Sequence, residues 1–149
     1  MRAVVQRVLE AQVRVGDSVP GRIGPGLLVY LGVAEGDSTQ DVQYVADKLV
    51  GLRCFEDEAG KMNRSVQDVG GQVLLVSQFT VCGDCRKGRR PGFDQAADPG
   101  LAQQLYGQVR DLITSHGIQV QTGMFREHMH VSSINDGPVT LLLDSRRLF

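Results

Sequence analysis

Tryptophan is absent from the 149 residues, and phenylalanine and tyrosine together number only eight. Proteins that hold single-stranded nucleic acid by stacking its bases need interleaved aromatics, so a pure stacking platform is poorly served here. Cysteine is scarce as well: three residues, an odd and small number, make no disulfide framework. Long hydrophobic runs are missing. The longest, Gly26 to Ala34, has nine residues with two glycines among them, against the roughly 20 that a membrane helix requires. The opening Met1 to Arg7 carries no signal-peptide apolar core, and the expectation is a cytoplasmic protein without a membrane partner. Excess charge of one sign is lacking too. Lys plus Arg number 16 against 17 Asp plus Glu, a net charge of −1. That balance excludes a uniformly basic nucleic-acid coat and a DNA partner held by bulk charge, but not a local basic patch. No repeat and no low-complexity segment interrupts the chain. What is present, 42% hydrophobic and 22% charged residues, supports one core and one domain over residues 1–149.

Two segments carry helical periodicity. The first opens at Asp37-Ser38-Thr39, with Asp41 placed as a capping-box acid. Val42, Val45, Ala46 and Leu49 follow at helical spacing, and Gly51 closes the run. The second opens at Asp98-Pro99, an N-cap followed by the proline favoured at the first helical position. Leu101, Leu105, Val109, Leu112 and Ile113 form its stripe, and Gly117 ends it. Strand-like runs cover Ala3 to Val8, Ala11 to Val15, Leu27 to Val33, Gln72 to Phe79, Met129 to Ile134 and Val139 to Leu143. Val73 to Val76 is apolar on both faces, the mark of a strand buried in mid-sheet. The expected fold is α/β of the α+β type: a mixed, largely antiparallel sheet with two main helices packed on it.

Three segments stand out chemically. Where the apolar strand ends, Ser77-Gln78-Phe79-Thr80 presents two hydroxyls and an amide at a sheet's end, where ligands commonly sit. The same residues also suit a capped turn, and no histidine or carboxylate lies close in sequence to make either hydroxyl a strong nucleophile. In Asp84 to Gly92, the cations Arg86, Lys87, Arg89 and Arg90 concentrate a quarter of all Lys and Arg into five residues. Guanidinium forks there match phosphate oxygens, though a solvated loop has the same composition. Asn135-Asp136-Gly137-Pro138-Val139-Thr140 is turn chemistry between two strands. Cys82-Gly83-Asp84-Cys85 with His128 and His130 gives four potential zinc ligands, but not at zinc-finger spacing and not in a thioredoxin context. No metal and no cofactor is expected.

These segments together resemble the D-aminoacyl-tRNA deacylase family, also called D-tyrosyl-tRNA deacylase. The family's opening stands as Met1 to Val8, its S-Q-F-T-L motif as Ser77 to Val81, its basic loop as Asp84 to Pro91 and its N-x-G-P-x-T motif as Asn135 to Thr140. The resemblance implies a homodimeric hydrolase that frees tRNA of D-amino acids, and of glycine, by cleaving the ester to the terminal adenosine. It implies that Ser77, Gln78, Phe79 and Thr80 line the catalytic pocket, with backbone N–H groups near Phe79 and Thr80 stabilising the oxyanion. An older reading of the family makes Thr80 a covalent nucleophile. Gly137-Pro138 is implied to be a cis dipeptide that enters the partner subunit's site and rejects L-amino acids, flanked by Asn135 and Thr140, with Arg7 bracing it and Met129 nearby. Arg86, Lys87, Arg89 and Arg90 are implied to meet the tRNA. The chain departs from the family at Gly123 to Met129: where G-x-F-G-A-x-M is usual it has Arg126-Glu127 for the Gly-Ala pair, and Ser133 replaces an apolar residue. A superfamily relative with a trans Gly-Pro, which clears L-alanine from a threonine tRNA, usually lacks the phenylalanine found here as Phe79. The competing classes are a non-catalytic RNA-binding module and a metal- or thiol-dependent hydrolase.

Overall fold

The valines that dominate the first fifteen residues build a single strand, β1 (Arg2–Val15), in the computed structural model, which describes residues 1–149. β2 (Ser18–Ile23) and β3 (Gly26–Gly32) both pair with it antiparallel, β3 along its first half and β2 along its second. Helix α1 (Thr39–Gly51) follows, then a small hairpin of β4 (Phe55–Glu56) and β5 (Met62–Arg64). β6 (Gln72–Ser77) lies parallel to β3; helix α2 (Pro99–Ser115) leads to β7 (Val120–Thr122), parallel to β6; and β8 (His130–Asp144) returns antiparallel along the other edge of β1. The sheet is mixed and mostly antiparallel, and both helices lie where the sequence expects them.

Side-chain alternation divides the interior in two. Val73 and Leu75 of β6 join Ala3, Val5, Leu27, Val29 and Leu31 in a core of 21 buried residues covered by α1 and α2. Leu74 and Val76 face the opposite way and join Val8, Ala11, Val13, Ile23 and Leu28 in a second core. Truncating a side chain such as Leu75, fully buried, costs about 2–5 kcal/mol. Capping is as expected at both helix starts. Ser38 and Asp41 form a reciprocal capping box, and Asp98 accepts from the N–H groups of Gly100 and Leu101.

Four features differ from the sequence expectation. The runs 3–8 and 11–15 are one strand, because the intervening Leu9 and Glu10 continue the backbone as a bulge with exposed side chains. The runs 129–134 and 139–143 are likewise one strand, with the Gly-Pro segment bulging from it rather than ending it in a turn. The run from Gln72 stops at Ser77, and Phe79–Cys82 coils into a 3-10 turn. β2 forms despite Pro20, and β4, β5 and β7 are too short for a periodic signal. Gly51 closes α1 as the sequence expects, and Leu52 caps the helix in extended conformation.

Candidate active site

The buried strand β6 changes character at Ser77. The Gln78 N–H donates to the Leu31 carbonyl at 2.8 Å, the last link to β3, and the chain then coils. Gly32 makes room for this coil: a β-carbon there would stand 2.3 Å from Val81 Cγ2 and 2.9 Å from the Gln78 carbonyl oxygen. No side chain caps the coil, so the N–H groups of Phe79 and Thr80 at its start have no partner within it. Gln78 Nε2 donates to Thr80 Oγ1 at 2.8 Å, and Thr80 has no histidine or carboxylate partner. Phe79 is exposed and packs edge-to-face on Phe93, with ring centroids 5.1 Å apart.

Ser77, Gln78, Phe79, Thr80 and Met129 line one cleft of about 590 Å³. The start of α2 and the segment leading into it line it as well, with Ala97, Pro99 and Ala102. That segment is pinned to the end of β3, where Ala97 N–H donates to the Val33 carbonyl at 3.0 Å and Glu35 N–H to the Gln95 carbonyl at 2.8 Å. Phe125 to His128 close the rim. The small α2 residues and the rim were missed in the sequence as site residues; the unusual Arg126-Glu127 pair was the one signal pointing there.

The second predicted group assembles elsewhere. Between the pairs Gln6–Thr140 and Val8–Asn135, β8 advances five residues while β1 advances two, so Asp136 to Val139 bulge outward. Gly137 has φ +115, a conformation that favours glycine, and its bond to Pro138 is cis. Arg7, buried at 6% exposure, lies behind the bulge. It donates to the Cys54 carbonyl at 2.7 Å, and its Nε stands 2.9 Å from Asp136 Oδ2 as an ion pair without hydrogen-bond alignment. Asn135 Nδ2 donates to the carbonyls of Arg7 and Val139 at 2.9 and 3.0 Å. Thr140 Oγ1 accepts from Gln6 Nε2 at 3.2 Å. Arg7, Asn135 and Thr140 therefore hold the bulge, while Gly137 and Pro138 stand exposed at its tip and line no part of the same chain's cleft.

The basic loop is a third unit. Asp84 and Gly92 exchange main-chain hydrogen bonds of 2.7 and 2.9 Å at its base, next to Phe93. Arg86 grips Asp84 with two nitrogens at 2.9 and 2.7 Å, which holds the Asp84 carboxyl well below the usual carboxylate range. Lys87, Arg89 and Arg90 are exposed and pair with no carboxylate. Burial pushes the thiols of Cys54 and Cys82 up, whereas Cys85 is exposed on this loop. The His128 and His130 rings meet edge-to-face at 5.0 Å, but no three His, Cys, Asp or Glu side chains converge as a metal site.

This architecture recurs in solved proteins. A structure titled c-Myc DNA Unwinding Element Binding Protein superposes with a TM-score of 0.91 at 36% identity, over 97% of this chain and 98% of that one. A probable eukaryotic D-amino acid tRNA deacylase shares the fold at a TM-score of 0.81 and 17% identity, over 95% and 97% of the two chains. The family model D-Tyr-tRNA(Tyr) deacylase matches residues 4–144. Among curated proteins, the D-aminoacyl-tRNA deacylases of Anaeromyxobacter dehalogenans and Thermotoga petrophila are 60% and 56% identical, each over 100% of both chains. The chain belongs to the D-Tyr-tRNA(Tyr) deacylase family, and it is a hydrolase.

Proposed function

We propose that the protein hydrolyses D-aminoacyl-tRNA, and glycyl-tRNA mischarged on an alanine tRNA, to free amino acid and tRNA. The observation that carries this reading is the cleft itself, in which Ser77 to Thr80 converge at the end of β6 beside free main-chain donors. An ester carbonyl needs only a placed water and a stabilised oxyanion. Water attacks the carbonyl carbon, the N–H groups of Phe79 and Thr80 receive the negative charge that develops on oxygen, and the bond to the ribose oxygen breaks. A proton from the attacking water passes to the departing ribose hydroxyl, assisted by the neighbouring 2′-hydroxyl of the RNA. Thr80 Oγ1 is engaged by an amide donor and has no base to take its proton, which favours water over threonine as nucleophile.

Chirality is read by main-chain atoms. Gly137 and Pro138 project into solvent on a braced bulge rather than into their own chain's cleft, an arrangement suited to a homodimer in which each bulge completes the partner's site. Carbonyls of the dipeptide then hold the α-amino group and leave no room for an L side chain, whatever that side chain is. Lys87, Arg89 and Arg90, with Arg86, contact the tRNA backbone. The work of such an enzyme lies in the cytoplasm, where charged tRNA is made. The test is a side-by-side assay of D-tyrosyl-tRNA and L-tyrosyl-tRNA with EDTA present and catalytic amounts of protein. Loss of only the D-ester supports the proposal. Cleavage of neither leaves a non-catalytic RNA-binding relative, cleavage of both removes the chiral gate, and inhibition by EDTA requires a metal.

A further inference from the structure

One turn on the rim of the cleft breaks the local rule for its shape. Glu127 N–H donates to the Met124 carbonyl at 3.3 Å, closing a turn over Met124, Phe125, Arg126 and Glu127. Arg126, its third residue, has φ +66, while Phe125 before it keeps a negative φ or an ordinary extended one. Positive φ at the third position alone is the type II pattern, which asks for glycine or asparagine there. An arginine bears the steric cost of left-handed backbone that a glycine escapes, and Arg147 is the only other non-glycine residue in the chain to do so. Local rules are broken chiefly where a side chain is needed for function.

Arg126 lines the cleft, is exposed and makes no ion pair with a carboxylate, the adjacent Glu127 included. Its planar fork fits an anion with two free oxygens. Under the deacylase reading, on which this inference rests, the substrate offers one such group close to the reacting bond. The ester is neutral and the α-amino group cationic, so neither attracts a guanidinium; the phosphodiester on the far side of the terminal ribose does. We propose that Arg126 binds this phosphodiester and sets the register of the RNA end against Ser77 to Thr80.

Three D-tyrosyl esters separate the roles: those of adenosine, which lacks the phosphodiester, of the trinucleotide CCA, and of intact tRNA. For Arg126→Gln, KM is expected to rise about tenfold on the CCA and tRNA esters, the worth of one charge-assisted contact, with kcat within about twofold and the adenosine ester unaffected. Arg126→Gly, which also relaxes the turn, is expected to show the same split with an unchanged or higher Tm. Equal loss on all three substrates, or no loss on any, overturns the inference. Binding of uncharged CCA against adenosine, by calorimetry on the wild type and both variants, reads the contact without catalysis. A wild type that hydrolyses no ester yet loses CCA affinity on Arg126→Gln refutes the deacylase reading and keeps the phosphate contact; unaltered CCA affinity refutes the contact alone.

Discussion

Thr80→Ala distinguishes water from threonine as the attacking group, because the two roles differ in size by orders of magnitude. Thr80 is exposed, and the only bond its hydroxyl makes is the 2.8 Å contact accepted from Gln78. Removing an exposed neutral hydrogen bond costs about 0.5–1.5 kcal/mol, and each 1.36 kcal/mol is about a factor of ten in rate. If the hydroxyl only steadies Gln78, kcat/KM for D-tyrosyl-tRNA falls by no more than about tenfold. If it forms the acyl-enzyme, removing it costs about 10⁴- to 10⁶-fold, as for nucleophile deletions generally. The assay is single-turnover deacylation with enzyme in excess, followed by release of labelled amino acid, which reads the chemical step rather than product release. Gln78→Ala is the companion measurement, and its loss is expected to match that of Thr80→Ala, since each variant removes the same bond. A drop of a thousandfold or more in Thr80→Ala, with Gln78→Ala near wild type, would refute the reasoning.

Further consequences follow from the geometry. Gly32→Ala puts a methyl group against Val81 and the Gln78 carbonyl; overpacking of this kind costs about 1–3 kcal/mol, so calorimetry is expected to show Tm lower by about 2–10 °C and activity lost along with it. The triple change of Lys87, Arg89 and Arg90 to Gln is expected to weaken tRNA binding for every tRNA alike and to flatten the plot of log affinity against log salt by about two units, measured by filter binding from low to high salt. In the native protein a thiol reagent is expected to modify one cysteine rapidly, Cys85, and the buried Cys54 and Cys82 only on unfolding; rapid titration of all three by mass spectrometry would contradict the packing around β6. The Asp84–Arg86 grip holds the carboxyl's pKa below its unfolded value, so whatever it contributes is present above about pH 4 and fades as pH falls; the loop's amide protection factors, with the intrinsic pH dependence of exchange divided out, are expected to stay flat between pH 8 and 5.

The parts of this fold legible in sequence are those whose signals are local. Capping at Ser38 and Asp98 satisfies donors only two or three residues away, and the stripes of α1 and α2 repeat at one period, so both helices are readable. The buried strand through Val76 is readable for the same reason. What escapes is decided by distant partners. Asn135 to Pro138 has the composition of a turn, yet β1 pairs with β8 on both sides of it and the chain bulges instead. Phe79 continues an apolar strand pattern, but Gly32, far away in sequence, lets the backbone coil there. The motif residues of the candidate site stand out through chemistry foreign to their surroundings. Ala97, Pro99 and Ala102 do not, because a cleft wall of small residues matters for the space it leaves.

The bulge at Leu9 makes β1 a strand written in two phases. Ahead of it, odd-numbered Ala3 and Val5 point towards the helices; beyond it, odd-numbered Ala11 and Val13 point into the second core. Without that single residue Val8 opposite Asn135 would be followed directly by Glu10 opposite Ile134, one phase would run throughout, and Ala11 and Val13 would keep the side of the second core that Val8 already faces. Leu9 is thus an extra residue that belongs to neither core pattern, and what it sets is the local bend and twist of β1 rather than which side chains are buried.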